Sequence, residues 1–500
     1  MRNRTPILNK KKNSMPKLRR KTNQFLTLEN ASDICSRHES FDEIMLLFKL
    51  RQKEPDYVWK DRDVHMEYWL GEDSAERIEV CVYSQNITYI DSFGNTKTLY
   101  NGNVKVSEES NAYEKIRAII QPDLSSLKKP DTNMDFSFVK NFSISCLYSF
   151  LINSNSNSKN VIFSPVALYN GMSMASECEN SKTRNMLLKL LSASSEEELR
   201  KDNESIIGTL YFNNMKDGNC FDLSSSIWLD SSVVKNLKND VLKTEARSYK
   251  AYSVISDYSD KNFHEDMEKW LSSQTNSKIS VNKELTEDSA IIINSPHFKN
   301  SWITPFEHVI NKSFEKADGS KVRCDFLVKN FRNQSVGTGQ AGKLFSLPMK
   351  NGYRMTFVLP YDTFDVKNLV LHEDYLYELF NQELTYEKCS VNFSVPKFSI
   401  SSLFSLREMS ESLGISNIFS EKNTLDALSD TKLHLDDIYS EASLKIDENG
   451  CGGKQSENSE FTPMLTDHTV SFHLNKPFFF YISTSSGIPV YTGIVNDPTK

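Results

Sequence analysis

Lys445-Ile-Asp-Glu-Asn-Gly450-Cys-Gly-Gly-Lys-Gln-Ser-Glu-Asn-Ser-Glu460-Phe-Thr-Pro-Met464-Leu465 is the stretch on which the reading of this chain turns. Ala442 to Ile446 reads as the end of a strand. Strand propensity stops at Gly450, Gly452 and Gly453, because glycine costs backbone entropy and offers no side chain to pack. A polar run from Lys454 to Glu460 follows, then a short apolar tip from Phe461 to Leu465. A long polar loop inside a compact domain is either functional or a disordered connector.

The flanks favour the functional reading. Downstream come His473-Leu-Asn475-Lys-Pro477-Phe-Phe-Phe480-Tyr-Ile and the closing Pro489-Val-Tyr-Thr-Gly493-Ile-Val-Asn496-Asp-Pro498. This order resembles the serpin family: an acidic and Gly-terminated strand, an exposed reactive-centre loop, an Asn-Lys-Pro-Phe strand and a C-terminal Asn-Asp-Pro. The resemblance implies an α+β fold with helices packed around a large central mixed sheet and further sheets.

Matching motifs run in order over about 134–500. Phe136 to Leu151 reads as an amphipathic first helix. Asn160-Val-Ile-Phe163-Ser164-Pro165-Val166 matches a specific family signature, a short buried strand feeding a helix with Pro165 in its first turn, where its missing N–H costs nothing. Leu168, Gly171, Met172 and Ala175 form a small apolar face that can sit deep. Arg184 to Leu191 and the acid-rich start after Ser195 read as further helices. Phe221 to Leu229 reads as a strand, and Met267 to Leu271 as a helix leading to Thr275–Ile279, where Ser277 replaces the usual Gly. Ala290-Ile-Ile-Ile-Asn294 is continuously apolar, as in a strand covered on both faces. It leads into Phe298-Lys299-Asn300-Ser301-Trp302 and Pro305-Phe306, with Asn300 in place of a Gly. Leu347–Met349, Met355–Pro360, Val395–Ile400 and Leu406–Phe419 also fit.

Ahead of this region lies a different composition. Residues 1–34 form a basic tail with Arg2, Arg4, Lys10, Lys11, Lys12, Lys17, Arg19, Arg20 and Lys21, read as disordered. Such a tail is a nuclear address, a contact to anionic partners or a solvated end. Residues 35–122 read as a small α+β module of no recognised family. It has helical spacing at Phe41–Leu50, alternation around Glu79–Tyr89, a turn at Asp91–Asn95, a hairpin signal at Asn101-Gly102 and helical spacing again at Asn111–Ile120. A linker at 123–133 follows.

Bulk properties narrow the function. A net charge of −7 argues against general nucleic-acid binding by the main domain. No apolar run is long enough for a membrane span. The N-terminus lacks the apolar core of a signal peptide, and the eight cysteines show no C-x-x-C pair or disulfide-like spacing. The expected compartment is intracellular, with an extracellular site, as for many serpins, as the alternative. There the sequons Asn86-Ile-Thr88 and Asn392-Phe-Ser394 would matter. A monomer is expected.

No catalytic constellation stands out. Gly337-Thr-Gly339-Gln-Ala-Gly342-Lys343 imitates a phosphate loop, but no apolar strand is expected before it, only Arg332-Asn-Gln-Ser335, and Leu344 stands where a Ser or Thr must hold the metal ion. Gly171-Met-Ser173-Met-Ala175 lacks the second Gly of a nucleophile elbow. The nine histidines form no His-Glu-x-x-His pair. The expectation is no enzyme, no cofactor and no metal.

The resemblance also assigns roles. Met464-Leu465 is the reactive-centre bond, suited to a protease with an apolar primary pocket. Gly450, Cys451, Gly452 and Gly453 form the hinge. Ser164 and Asn294 correspond to a buried polar cluster under the sheet, with Ser440 near the place of an absent His. Trp302, Lys397 and Glu448 correspond to the group where the loop enters, with Lys397 and Glu448 as an ion pair. In the family a cut loop inserts as a new strand and traps its protease. Strand alternation then points Cys451, Gly453, Gln455, Glu457 and Ser459 inward. Inhibitory members usually keep Thr, Ser and Ala there. An unpaired buried carboxylate at Glu457 costs roughly several kcal/mol. Two functions therefore stand: a serine-type (or cysteine-type) endopeptidase inhibitor, and a non-inhibitory binding or scaffold protein of the same fold.

Overall fold

The computed structural model describes residues 116–500 apart from 125–126, 129–133, 154–158, 214–219, 276–280, 282, 382–383 and 453–467, together with four strands nearer the N-terminus. The chain forms two compact units, one of Met1–Glu114 with Met215–Gly218, the other of Lys115–Asn214 and Asn219–Lys500. In the first unit, β1 (His65–Trp69), β2 (Arg77–Cys81), β3 (Asn86–Ile90) and β4 (Thr96–Asn101) make an antiparallel meander. The basic tail, the helical spacing at 41–50, the turn at 91–95 and the position after Asn101 lie outside the described residues.

The second unit opens with β5 (Arg117–Ile120), α1 (Ser137–Asn153), β6 (Val161–Phe163), α2 (Pro165–Cys178), α3 (Ser181–Leu190) and α4 (Glu196–Asn213). It continues with β7 (Cys220–Asp230), α5 (Asn239–Ser248), β8 (Ala251–Ser256), α6 (Phe263–Thr275) and β9 (Ser289–Ser301). Next are β10 (His308–Glu315), β11 (Lys321–Thr338), β12 (Gly342–Pro348), β13 (Tyr353–Pro360), α7 (Val366–Leu371), α8 (Glu373–Asn381) and β14 (Thr385–Pro396). The last elements are β15 (Phe398–Ser405), α9 (Leu406–Met409), β16 (His434–Ile446), β17 (Gly450–Cys451), β18 (Thr469–His473), β19 (Phe478–Thr484) and β20 (Pro489–Val495).

Two sheets organise the unit. A nine-stranded sheet runs β18-β14-β11-β12-β13-β19-β20-β6, with β10 on β11. A seven-stranded sheet runs β15-β16-β9-β7-β8-β5, with β17 on β9. One face of the latter packs on the main core with α2; the other meets α6, where Trp228 and Tyr252 set their rings edge-on to Trp270. A strand covered on both faces has no polar side, which is why Ala290 to Ile293 are all apolar and fully buried.

The helix α2 lies at the centre. Ser164 caps it, accepting from the Ala167 N–H at 3.3 Å, and all fourteen residues are buried. A Cβ at Gly171 would overlap Asn294 Nδ2 and lie 2.8 Å from Ile438 Cγ2, so only glycine lets the helix approach this closely. The two signature ends of the domain also meet. Asn160 Oδ1 accepts from the N–H groups of Asn496 (2.7 Å) and Asp497 (2.9 Å), and its amide donates to the Asp497 carbonyl. At the far end of α2, Glu179 is buried, accepts from Asn423 Nδ2 at 2.6 Å, and burial pushes its carboxyl up to about 7.

Two expectations are corrected here. Arg117–Ile120 is not helical; it is a strand paired antiparallel with β8, and so belongs to the large unit rather than to a module ending at 122. Ile119 and Ile120 pack on the main core and Ile116 joins the cluster around Trp228, so tertiary pairing overrides the helical spacing. The glycine-rich stretch from Gly337 is preceded by a strand after all, since β11 reaches Thr338. It leads into another strand, β12, with the Gly339 N–H donating to the Gly342 carbonyl, so it is a hairpin turn and has no helix N-terminus to hold a phosphate.

Candidate functional site: a seam in the central sheet

The site lies where β9 and β16 run side by side. From Ser289 to Asn294 they pair in parallel with His434 to Ser440. Beyond Asn294 and Ser440 the two strands share no further pair among the described residues, although β9 stays bonded to β7 and β16 to β15. Pro296 stands just past the last pair and has no N–H to give a ladder. The result is a seam closed at one end and open between 295–299 and 441–446.

At the open end the chain folds back into its own gap. Asp447 makes a tight turn: its N–H donates to the Gly450 carbonyl at 2.9 Å, and its Oδ1 accepts from the N–H of Asn449 at 2.8 Å. Gly450 and Cys451 then pair antiparallel with Ser301 and Asn300. Gly450 has φ +146°, and a Cβ there would overlap the Asn300 carbonyl oxygen. The first hinge glycine is thus required by close backbone approach. Cys451 is buried and Gly452 exposed, the alternation of a strand. Burial pushes the Cys451 thiol well above its ordinary range. The remaining hinge residue Gly453, the inward positions Gln455, Glu457 and Ser459, and the bond Met464–Leu465 lie outside the described residues.

Trp302, Lys397 and Glu448 are brought together at this mouth. Trp302 is buried; its Nε1 donates to the Asp447 carbonyl at 3.0 Å and its N–H to the Asn449 carbonyl at 2.9 Å. Lys397 Nζ donates to Glu448 Oε1 at 2.8 Å, and this bond holds the Glu448 carboxyl below its usual range. Both side chains are half-buried, so the pair is worth little beyond about 1 kcal/mol. Asn300, in place of the family's Gly, is fully buried and its amide donates to the Lys350 carbonyl at 3.2 Å.

Ser164 and Asn294 are not bonded to each other. Ser164 serves its helix cap, whereas Asn294 belongs to a second network. Asn170 Nδ2 donates to Ser225 Oγ at 2.9 Å, and Ser225 Oγ donates to Asn294 Oδ1 at 2.7 Å. Sequence reading missed Asn170 and Ser225. The available signal was an amide inside the otherwise apolar run Leu168–Met172. Ser440 pairs with Asn294 across the seam, and its hydroxyl and Asn294 Nδ2 have no partner among the described residues.

A parallel pair of strands split at one end, with the preceding turn feeding a strand into the split, is the arrangement expected of a sheet that can take up a further strand. Comparison with known proteins agrees with this architecture. A family profile described as Serpin (serine protease inhibitor) matches residues 138–498, and the chain belongs to that family. It is similar to Alpha-1-antiproteinase S of Cavia porcellus, 26% identical over 364 residues that cover 70% of this chain and 87% of the relative. Serpin-Z3 of Arabidopsis thaliana is 23% identical over 367 residues, covering 69% and 93%. Among solved structures, the thermophilic serpin tengpin in its native state has a TM-score of 0.66 at 22% identity, covering 77% of this chain and all of that one. Arabidopsis AtSerpin1, in a native stressed conformation, gives 0.65 at 21%, covering 74% and 99%.

Proposed function

We propose that this serpin inhibits an endopeptidase, of the serine class first and the cysteine class second, by offering Met464–Leu465 as bait. The protease nucleophile adds to the Met464 carbonyl, the Leu465 amine leaves, and an acyl-enzyme forms. The freed segment then enters the seam before water reaches the ester. The observation that carries this reading is the seam itself, unpaired above Asn294 and already occupied at its mouth by Gly450 and Cys451. Insertion is driven by the ladder bonds and burial that the split strands leave unmade.

An apolar residue at the bait suits a protease with an apolar primary pocket. A reducing compartment fits the free thiols of Cys146, Cys178, Cys389 and Cys451, all buried; a tagged copy accumulating in the medium of expressing cells would contradict that placement. The polar inward residues Gln455 and Glu457 favour a second reading, a non-inhibitory protein of the same fold. Incubation with a panel of serine and cysteine proteases decides between them. Inhibition gives a denaturant-resistant covalent complex and a new N-terminus at Leu465; cleavage with full turnover and no complex supports the second reading.

A further inference from the structure

The nine-stranded sheet carries an uncovered strand at its margin. Among the described residues β10 pairs only with β11, and its first four residues, His308 to Asn311, are all exposed. Successive strand residues point to opposite faces. Val309 at 40% and Ile310 at 46% exposure therefore leave a bare apolar side chain on each face. An edge strand of this kind is a template for pairing with another strand, and natural edges are usually blunted by charge, proline or a cover.

Two bonds fix which way the backbone groups of β10 point. The Glu315 N–H donates to the Asn475 carbonyl, away from β11. The Asp325 carbonyl accepts from the Lys397 N–H on the far side of β11, and Asp325 is the ladder partner of Asn311. Opposed residues of an antiparallel ladder turn their polar groups both toward each other or both away. Val309, Asn311 and Ser313 thus present N–H and C=O to the free edge. The Asn311 carbonyl accepts from Arg323 Nη2 at 3.1 Å and keeps a second lone pair. Beyond Ser313 the edge is closed by Asn475.

We infer that β10 pairs antiparallel with β10 of a second copy of this chain, about a two-fold axis at Ile310, in place of the expected monomer. Outward residues have to meet outward residues, which leaves few registers. An axis at Lys312 opposes two ammonium groups. One at Asn311 sets Ile310 against Lys312, and one at Val309 gives Ser313 to Pro305, which has no N–H. The axis at Ile310 joins Val309 to Asn311 on each side, and each of these pairs exchanges both backbone bonds. It brings the two Ile310 side chains together with their Cα atoms about 4.5 Å apart. The same register sets Glu307 of the second copy opposite Ser313, the ladder partner of Arg323, so an acid meets a base on each side of the axis. Its cost is Lys312 opposite His308. One patch supplies both halves of the match, which selects a second copy over an unrelated strand.

Sedimentation velocity of the full chain over a concentration series tests this. The parent is expected to move from 57.4 kDa toward twice that mass. Ile310→Lys puts two ammonium groups on the axis and should weaken association at least about tenfold. Val309→Pro removes an outward N–H without breaking a bond to β11, a place where an edge strand accepts proline, and should weaken it as well. Unchanged melting of both variants at low concentration shows that they fold. With diamide added, Ile310→Cys should give a disulfide-linked dimer. Ser313→Cys should not, because the register holds the two Ser313 positions about 20 Å apart along the strands. A parent that stays monomeric at every concentration overturns the inference. So does a dimer that persists unchanged in Ile310→Lys and Val309→Pro, or one that crosslinks through Ser313→Cys and not through Ile310→Cys.

Discussion

The two halves of one seam behave differently. Below Asn294, Ala290 to Ile293 lie beside Leu435, Ile438 and Tyr439, all buried, and the strands are zipped. Above it, Ser295, Pro296 and His297 run past Glu441, Ser443 and Lys445 with no backbone ladder pair between the strands among the described residues. The same β9 and β16 serve both halves, so strand identity does not decide pairing. What differs most is β9 itself: its closed half is the apolar run Ala290 to Ile293, its open half holds Ser295, Pro296 and His297, while β16 keeps buried apolar residues, Ala442, Leu444 and Ile446, in the open half as well. The hinge turn exploits the open half by placing Gly450 and Cys451 in it.

Substitutions can break this contrast, the largest effect first. Ile292→Ala in the closed half removes a fully buried side chain and is expected to cost about 2–5 kcal/mol of stability in denaturant unfolding. A loss below 1 kcal/mol would mean that the closed half is not held by its apolar rungs. At the mouth, Gly450→Val collides with the Asn300 carbonyl and forces a φ that valine avoids, so it should expel the hinge at a cost of about 1–3 kcal/mol. Its distinctive readout is Cys451, whose thiol should resist alkylation at pH 8 in the parent and react in the variant. Equal protection in both would remove the close approach from the account.

A control away from the seam sharpens the comparison. Glu179 carries a carboxyl raised from 4.5 to about 7, so the folded protein binds more protons than the unfolded chain between those values. Its contribution to stability is full below about pH 4.5 and is lost as pH rises through about 7. Glu179→Gln should flatten the melting profile over that window and leave the gain on loop cutting unchanged. The smallest effect belongs to Lys397→Ala. It breaks the half-buried pair with Glu448, should cost no more than about 1 kcal/mol, and should weaken further in high salt.

Legibility in the sequence followed the same division. Local motifs gave the strand-to-helix step at Ser164–Pro165 and the buried character of Ala290–Ile293, because each is written in adjacent residues, whereas the meeting of Trp302, Lys397 and Glu448 came only from the resemblance to the family. The bonds that run between distant elements were not legible. Asn170 and Ser225 are far apart in the chain and look ordinary until α2 is laid under the sheet. The stretch 117–120 kept a helical spacing whose outcome was decided by β8. The parting of β9 from β16 came only as an implication of the resemblance; its one local signal, Pro296, carries no pattern of its own in the sequence.

Hydrogen exchange at the seam, before and after the loop is cut, measures the central claim at the residues concerned. The account predicts that amides of 295–299 and 441–446 which exchange quickly in the intact chain become protected once the tip is cleaved, while those of 289–294 keep their protection. Unchanged exchange in the upper seam after complete cleavage would contradict it.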